Sequence, residues 1–406
     1  MTRRGVLTLL LGIAIYAVAW LFGAKALYPV ALGLVLAPIV ARTWVRLAAR
    51  PIALKRRIGG GLLGRRASGG HLFEGEDVWV TLEAQPEARV PLPSISVTER
   101  IAKLGERHTP LQRAGGPYRG TYVIEKVSRG RYDVEEARAT IDDPFGLARS
   151  EVDLAAAGSL LVYPRLVALD RLFSESGAHA QDGRRLLLRR PSGFDLHSVR
   201  EYEQGESLRK VHWRTTARRG QLMVKELEDS PREDVAVILD AWRGCPRPVF
   251  DMAVRAAGSI LQAHATRGRP ATFVSTGRER AVVPVRSAAD DLGGAVTALA
   301  AAEPDALYGL ARFLGSDHPA VAGGGEVLVV TATREPAAFA AVLALAGRRV
   351  VSVVWVDAAS FAARPTRAEA GVLRLAAHGI PAAVVRRGDD LADELSAPRL
   401  RAVRRA

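Results

Sequence analysis

Two apolar runs at the start of the chain restrict what it can fold into more than any other feature. Val6 to Phe22 is almost unbroken and carries no charge. Ala26 to Val40 forms a second run, extendable through Trp44 to Ala49 with Arg42 and Arg46 near its end, and Gly23-Ala24-Lys25 separates the two. A helix needs roughly 20 apolar residues to cross about 30 Å of hydrocarbon. Each run is near the short end of that range, so two tightly turned helices fit better than one long one. Tyr16, Trp20, Tyr28 and Trp44 supply rings of the kind that settle at a membrane interface. A cleaved signal peptide also begins with basic residues and an apolar run, as Arg3-Arg4 and the first run do. The second run and its many basic neighbours favour a retained transmembrane hairpin over residues 1–50.

Charge orients that hairpin. Up to Gly70 there are eleven Lys and Arg and no Asp or Glu. Ten of the eleven lie outside the turn: Arg3, Arg4, Arg42, Arg46, Arg50, Lys55, Arg56, Arg57, Arg65 and Arg66. Cytoplasmic flanks are enriched in Lys and Arg, so both ends and the body behind them are expected on the cytoplasmic side of the cell membrane, with only the short turn facing out. The chain's formal net charge is +14, yet residues after Gly70 carry 46 Lys and Arg against 43 Asp and Glu. The basicity is mostly juxtamembrane and suits anionic lipid headgroups; it is weak ground for nucleic-acid binding, which needs a basic face on a folded domain. The single cysteine, Cys245, excludes an intrachain disulfide framework and agrees with a cytoplasmic body.

Behind the hairpin the texture changes twice. Residues 51–71 are basic and Gly-rich and read as a linker. From 72 to 166 short alternating runs are broken by Pro and Gly, among them Val78 to Leu82, Ser94 to Val97, Tyr118 to Lys126, Arg131 to Ile141 and Leu160 to Tyr163. That pattern predicts about seven antiparallel strands in a small β-sandwich. Residues 167–230 form a polar connecting segment. From 231 to 406, continuous apolar strands such as Val235 to Leu239 alternate with helical stretches (Pro248 to Thr266, Ala288 to Ala302, Pro336 to Ala346, Arg367 to His378). This predicts an α/β domain with a mostly parallel sheet and helices on both faces.

The densest group of unusual residues runs from Gly193 to Glu226. Gly205-Glu206-Ser207 can open a helix, with an acidic residue at its positive end. Leu208, Val211 and Thr215 share one face, Arg218-Arg219 fall in the last turn, and Gly220 follows where a left-handed cap is expected. Arg200, Glu201, Glu203, Glu206 and Arg209 could form a bidentate network, or a solvated face that contributes little. Tyr202 and Trp213 favour a packed or docking element.

This segment resembles the signature of the DUF58 family of bacterial membrane proteins, on Phe194-Asp195, Arg200-Glu201-Tyr202, Gly205, Arg209, His212-Trp213, Ala217-Arg218 and Lys225-Glu226. Glu206 stands where that family usually has Asp. Arg129 to Tyr132 (Arg-Gly-x-Tyr), Asp143 to Leu147 (Asp-Pro-Phe-Gly-Leu) and Val162 to Pro164 extend the resemblance. It implies a C-terminal domain similar to a von Willebrand factor A domain. It also implies association with MoxR-type AAA+ ATPases and with transglutaminase-like membrane proteins, and no established enzymatic activity. Such domains often hold Mg²⁺ through Asp-x-Ser-x-Ser after the first strand. Here Asp240 is present, but Trp242 and Gly244 occupy the serine positions and Val330-Thr331-Ala332-Thr333 lacks the later Asp, so neither a metal nor another cofactor is expected. No Walker loop, His-Glu-x-x-His or Gly-x-Ser-x-Gly occurs.

Three functional readings follow. The first is a non-catalytic membrane-tethered adaptor whose α/β domain recruits a partner, a MoxR-type ATPase by resemblance. The second is an enzyme, hydrolytic in class, built on Arg200, Glu201, His212 and Arg218. The third, disfavoured, is nucleic-acid binding through the basic cluster at 184–225.

Overall fold

The structure is a computed structural model of the 406-residue chain. It describes residues 1–49, 52–60, 71–86, 94–113, 116–154, 158–176, 196–201, 213–227, 235–287, 291–316, 318–319, 321, 325–362, 364 and 369–396. The chain divides into two compact units, Met1–Tyr163 and Pro164–Ala406.

The first unit opens with two long helices, α1 (Arg3–Phe22) and α2 (Leu27–Ala48), both long and apolar enough to cross a membrane. Thr2 caps α1 by accepting the Gly5 amide, and Gly23, at φ 62°, ends it in the left-handed conformation that glycine adopts without penalty. The buried residues of α1 are Gly5, Gly12 and Ala19, one every seventh position; those of α2 include Ala31, Pro38 and Val45 at the same spacing. Small residues on one seam let two helix backbones approach closely. At Gly12 a Cβ would lie 2.9 Å from Val35 Cγ2, so α2 already fills that space.

Among the described residues nine strands follow: β1 (Ile52–Gly60), β2 (Leu72–Phe73), β3 (Val78–Pro86), β4 (Ser94–Ile101), β5 (Gly105–Arg113), β6 (Tyr118–Ile124), β7 (Gly130–Asp142), β8 (Arg149–Asp153) and β9 (Ser159–Tyr163). They pair in the order β1-β3-β6-β5-β4-β7-β9-β2, with β8 on β7. All pairings are antiparallel except β2 with β9, which is parallel, so the sheet is mixed where an antiparallel one is expected from the alternation. β5 pairs with β4 over its first part and with β6 at its end, and β7 likewise serves β9, β4 and β8 along its length. Strands three places apart in that order, β3 and β4, share one apolar core through Val80, Leu82, Ile95 and Val97. The sheet therefore folds back on itself.

The segment expected as a linker contains β1, paired with β3 over nine residues. Its alternation is masked in the sequence by Lys55, Arg56 and Arg57, because Arg56 points inward to a buried carboxylate. The Arg-Gly-x-Tyr and Asp-Pro-Phe-Gly-Leu motifs are structural elements here. Arg129 and Tyr132 are buried, and Tyr132 Oη donates to the Ser128 carbonyl at 2.8 Å. Asp143 is buried and accepts the Phe145 and Ala148 amides at 2.9 and 2.5 Å, closing the turn between β7 and β8 around Gly146, at φ 70°.

The same turn is tied to the start of α1. Thr2 donates its amide to the Leu147 carbonyl (3.0 Å) and its hydroxyl to the Gly146 carbonyl (2.5 Å). Gly5 sits so close that a Cβ there would lie 2.1 Å from the Leu147 carbonyl oxygen. Gly5→Ala is therefore expected to break this junction at a cost of about 1–3 kcal/mol, seen as faster exchange of the Thr2 amide. Unchanged exchange there would contradict the contact.

The second unit contains α3 (Phe173–Ser176), β10 (Leu196–Glu201), α4 (Trp213–Arg219), β11 (Met223–Leu227), β12 (Val235–Leu239), α5 (Arg247–Thr266), β13 (Ala271–Ser275), β14 (Val282–Val285), α6 (Leu292–Ala301), α7 (Leu310–Leu314), β15 (Glu326–Thr331), α8 (Pro336–Ala346), β16 (Val350–Val356), α9 (Ala358–Phe361), α10 (Ala370–Ala377), β17 (Ala382–Val385) and α11 (Leu391–Ser396). Its main sheet runs β14-β13-β12-β15-β16-β17, parallel throughout except for the antiparallel β14. Every residue of β12 is buried, and alternate residues face opposite layers. Val235, Val237 and Leu239 join a core with α5, α6 and α11, while Ala236 and Ile238 join another with α7, α8 and α10. Helices thus cover both faces. The start of the connecting segment is part of this core: Val167 donates its amide to Ser259 Oγ at 3.0 Å, and Leu172 and Phe173 are fully buried.

Candidate functional site

Two places in the second unit carry the residues singled out by the sequence. In the first, β10 and β11 form an antiparallel two-stranded ribbon, separate from the main sheet, that pairs Arg200 with Val224 and Val199 with Lys225. Between these strands α4 ends in Arg218-Arg219, and Gly220 follows at φ 69°, the left-handed cap its position predicts. Thr216 Oγ1 accepts the Met223 amide at 3.0 Å, which fixes the turn from helix to strand, and Met223 is buried. No residue of α4 is buried, and Trp213 at its start is 65% exposed. The indole is not packed. The main chain of Arg200, Glu201, Lys225 and Glu226 lies on the ribbon, and Ala217 and Arg218 lie on α4. Phe194, Asp195, Tyr202, Gly205, Glu206, Arg209 and His212 lie outside the described residues.

The second place is the carboxyl edge of the main sheet, where open α/β sheets usually place ligands. Asp240 follows β12, is 4% exposed, and accepts Thr331 Oγ1 from the end of β15 at 2.6 Å. Its other oxygen, Oδ1, is buried without a hydrogen bond of normal geometry among the described residues. Burial pushes this carboxyl up to about 6; the Thr331 hydroxyl opposes that shift, the nearby Glu335 adds to it, and the Trp242 amide weakly opposes it. Around it a ladder of local bonds orders the strand ends: Ala241 amide to Thr276 Oγ1 (2.9 Å), Thr333 amide to Thr331 Oγ1 (3.0 Å) and Trp355 Nε1 to the Thr333 carbonyl (3.0 Å). Two strands along from β12, Asp357 is fully buried after β16. It caps α9 through the Ala359 amide (3.0 Å) and lies 3.6 Å from Arg334 and 3.8 Å from Arg386.

At the two positions where a serine-based cation loop would have hydroxyls, an indole lies against a glycine. A Cβ at Gly244 would lie 2.5 Å from Trp242 Cζ2. Among the described residues no group of three or more His, Cys, Asp or Glu converges. Cys245 is buried and its thiol is pushed up to about 12, chiefly by burial, which removes nucleophilic thiolate at neutral pH. The arrangement at this edge can hold a proton on Asp240 up to about pH 6 and order the strand ends around it.

Comparison with known proteins agrees on family resemblance. The model of the family described as "Protein of unknown function DUF58" matches residues 198–354, from the ribbon into β16. "Uncharacterized protein YeaD" of Bacillus subtilis (strain 168) is 26% identical over 217 residues, 52% of either chain, so the chain spans about half the length of this curated relative. Among solved structures, Cwp6 from Clostridium difficile aligns over 84% of this chain and 50% of its own, with a TM-score of 0.18 at 9% identity. A GH20 exo-β-N-acetylglucosaminidase from Vibrio harveyi aligns over 82% of both chains with a TM-score of 0.16 at 10% identity. Scores this low carry no argument about the fold.

Proposed function

We propose that this chain is a membrane-anchored scaffold whose second unit recruits a protein partner. The observation that carries the anchoring is the surface of the hairpin. Leu7, Leu10, Leu11, Ile13, Trp20, Leu21 and Phe22 are each more than half exposed on α1, an apolar area far too continuous for a helix in water. The uniformly basic flanks support a cytoplasmic placement of both ends and of the body. The six-stranded sheet with helices on both faces supports the von Willebrand A-like reading of the second unit.

Recruitment rests on α4, a helix with no buried residue that carries an exposed tryptophan at its start and Arg218 and Arg219 at its end. Exposed Trp and Arg are the side chains that most often anchor interfaces. Resemblance to DUF58 proteins names the partner class, a MoxR-type AAA+ ATPase, and a transglutaminase-like membrane protein as a second candidate.

Crosslinking and co-purification from native membranes test both parts. The full chain should resist alkaline carbonate extraction and recover an AAA+ ATPase, and Trp213→Ala with Arg218→Glu should cut that recovery about tenfold or more at unchanged chain level. No ATPase recovered, with both proteins expressed, removes the partner assignment; extraction by carbonate removes the anchor.

A further inference from the structure

The base of the hairpin meets the sandwich at a cleft of about 670 Å³ whose walls carry Arg3, Arg42, Arg46 and Arg149, with Val45 and Ala148 beneath. We propose that this cleft binds the phosphate of an anionic phospholipid headgroup, fixing the sandwich against the membrane surface; the proposal rests on the membrane-anchored reading.

Four observations lead there. First, the junction is rigid and not a flexible tether. Thr2 is bonded to Gly146 and Leu147, and Ala41, Val45 and Ala48 of α2 belong to the same core as the strands. Second, the cleft lies at the hairpin's open end. At 1.5 Å per residue the 20 residues of α1 span about 30 Å, the thickness of the hydrocarbon. Arg3 and the last two turns of α2 therefore fall at one headgroup layer.

Third, three of the four arginines are left over after local pairing. Arg149 is held by Asp142 at 2.6 and 3.0 Å, and Glu151, the carboxylate of the cleft, faces Arg138 at 3.4 Å. Among the described residues no ion pair engages Arg3, Arg42 or Arg46. Three guanidiniums lining one cleft make it a positive surface, and their planar forks match phosphate oxygens.

Fourth, the turn bonded to Thr2 presents Phe145, which at 78% is the most exposed large apolar side chain among the described residues. A bare phenyl ring is out of place in water and at home in the headgroup–acyl boundary, where aromatic side chains collect. The Asp-Pro-Phe-Gly-Leu turn thus acquires a purpose beyond closing a hairpin: Asp143 shapes it, Gly146 and Leu147 tie it to the helix, and Phe145 enters the lipid.

The test uses the full chain in nanodiscs of phosphatidylcholine doped with phosphatidylglycerol, followed by detergent exchange and mass spectrometry of the retained lipid. Wild type should retain phosphatidylglycerol over phosphatidylcholine, and Arg3→Gln/Arg42→Gln/Arg46→Gln should lower that preference about tenfold or more while still resisting carbonate extraction. Lys25→Gln, in the turn at the other end of the hairpin, should leave it unchanged. Equal retention in wild type and triple variant, or loss of bound lipid to inorganic phosphate alone, overturns the headgroup site while leaving the anchor standing. Carbonate release of wild type overturns both. A fluorophore on Phe145→Cys in a Cys245→Ser background should shift to the blue in the doped discs, and a water-like spectrum there counts against Phe145 entering the lipid.

Discussion

Glu99→Ala is expected to destabilise the nine-stranded sheet of the first unit by about 3–5 kcal/mol. Glu99 lies in β4 with its side chain fully buried. It receives Arg56 through Nε (3.1 Å) and again through Nη2, and Tyr122 Oη donates to its second oxygen at 2.8 Å. Arg56 comes from the edge strand β1 and is itself only 13% exposed, and Tyr122 comes from β6, so one carboxylate ties three strands. Both Arg56 and Tyr122 line a cavity of about 310 Å³ walled by Leu54, Val80, Ile101 and Leu160. Burial, and then the charge of Glu99, push the Tyr122 phenol well above its ordinary range, so it stays a donor at any working pH. Removing Glu99 leaves a guanidinium buried without its counter-charge, and that penalty dominates over the pair's own attraction. Glu99→Gln keeps acceptors and shape and should lose less; Tyr122→Phe, which removes one hydrogen bond, should cost about 1 kcal/mol. Amide exchange of β3 and β4 in detergent-solubilised chain measures all three. A loss for Glu99→Ala no greater than for Tyr122→Phe would mean that solvent reaches Arg56 in the native state.

The same residues explain where sequence reading stops. The hairpin is legible because hydropathy is a one-dimensional signal, and the two helices fall within a few residues of the apolar runs. The strand–helix alternation after Asp234 is legible because a strand covered on both faces is a continuous apolar run, as Val235–Leu239 is. β1 is not: Lys55-Arg56-Arg57 looks solvated until Glu99, 43 residues later in sequence, supplies the partner for Arg56. The antiparallel β14 and the short α7 also escape notice, being four and five residues long. The heptad of small residues Gly5, Gly12 and Ala19 is visible in the sequence once helix packing, and not only hydropathy, is sought. Of the signature segment, spacing anticipates the Gly220 cap, and of the two expectations for Trp213, packing or docking, its exposure on a helix that buries nothing removes the first. Spacing along a chain does not reveal which side of a helix finds a neighbour.

Asp240→Asn is expected to stabilise the second unit at pH 8 relative to its effect at pH 4, by about 2–2.5 kcal/mol between the two conditions. The sign follows from the direction of the shift. An unfolded Asp titrates at 3.8, whereas burial holds the folded carboxyl at about 6. Below pH 3.8 both states carry the proton and the residue has no linkage effect. Between 3.8 and 6 the unfolded chain ionises while the native one keeps its proton, so native stability falls as pH rises. Above 6 the native state bears a buried anion, and the whole penalty is present. Asparagine carries no charge at any pH and removes that slope. Its Oδ1 can still accept Thr331 Oγ1, but its amide brings two donors into a site where Asp240 Oδ1 already lacks a well-formed partner. That cost, about 1–3 kcal/mol, is the same at both pH values and cancels in the comparison. Glu335→Gln should lower the Asp240 midpoint, because Glu335 is the neighbouring charge that raises it. Urea midpoints read at the two pH values through the buried Trp355 decide the matter. If Asp240→Asn shifts stability equally at pH 4 and pH 8, the carboxylate at the head of β12 is compensated in the native protein and the sheet edge carries no stored electrostatic penalty.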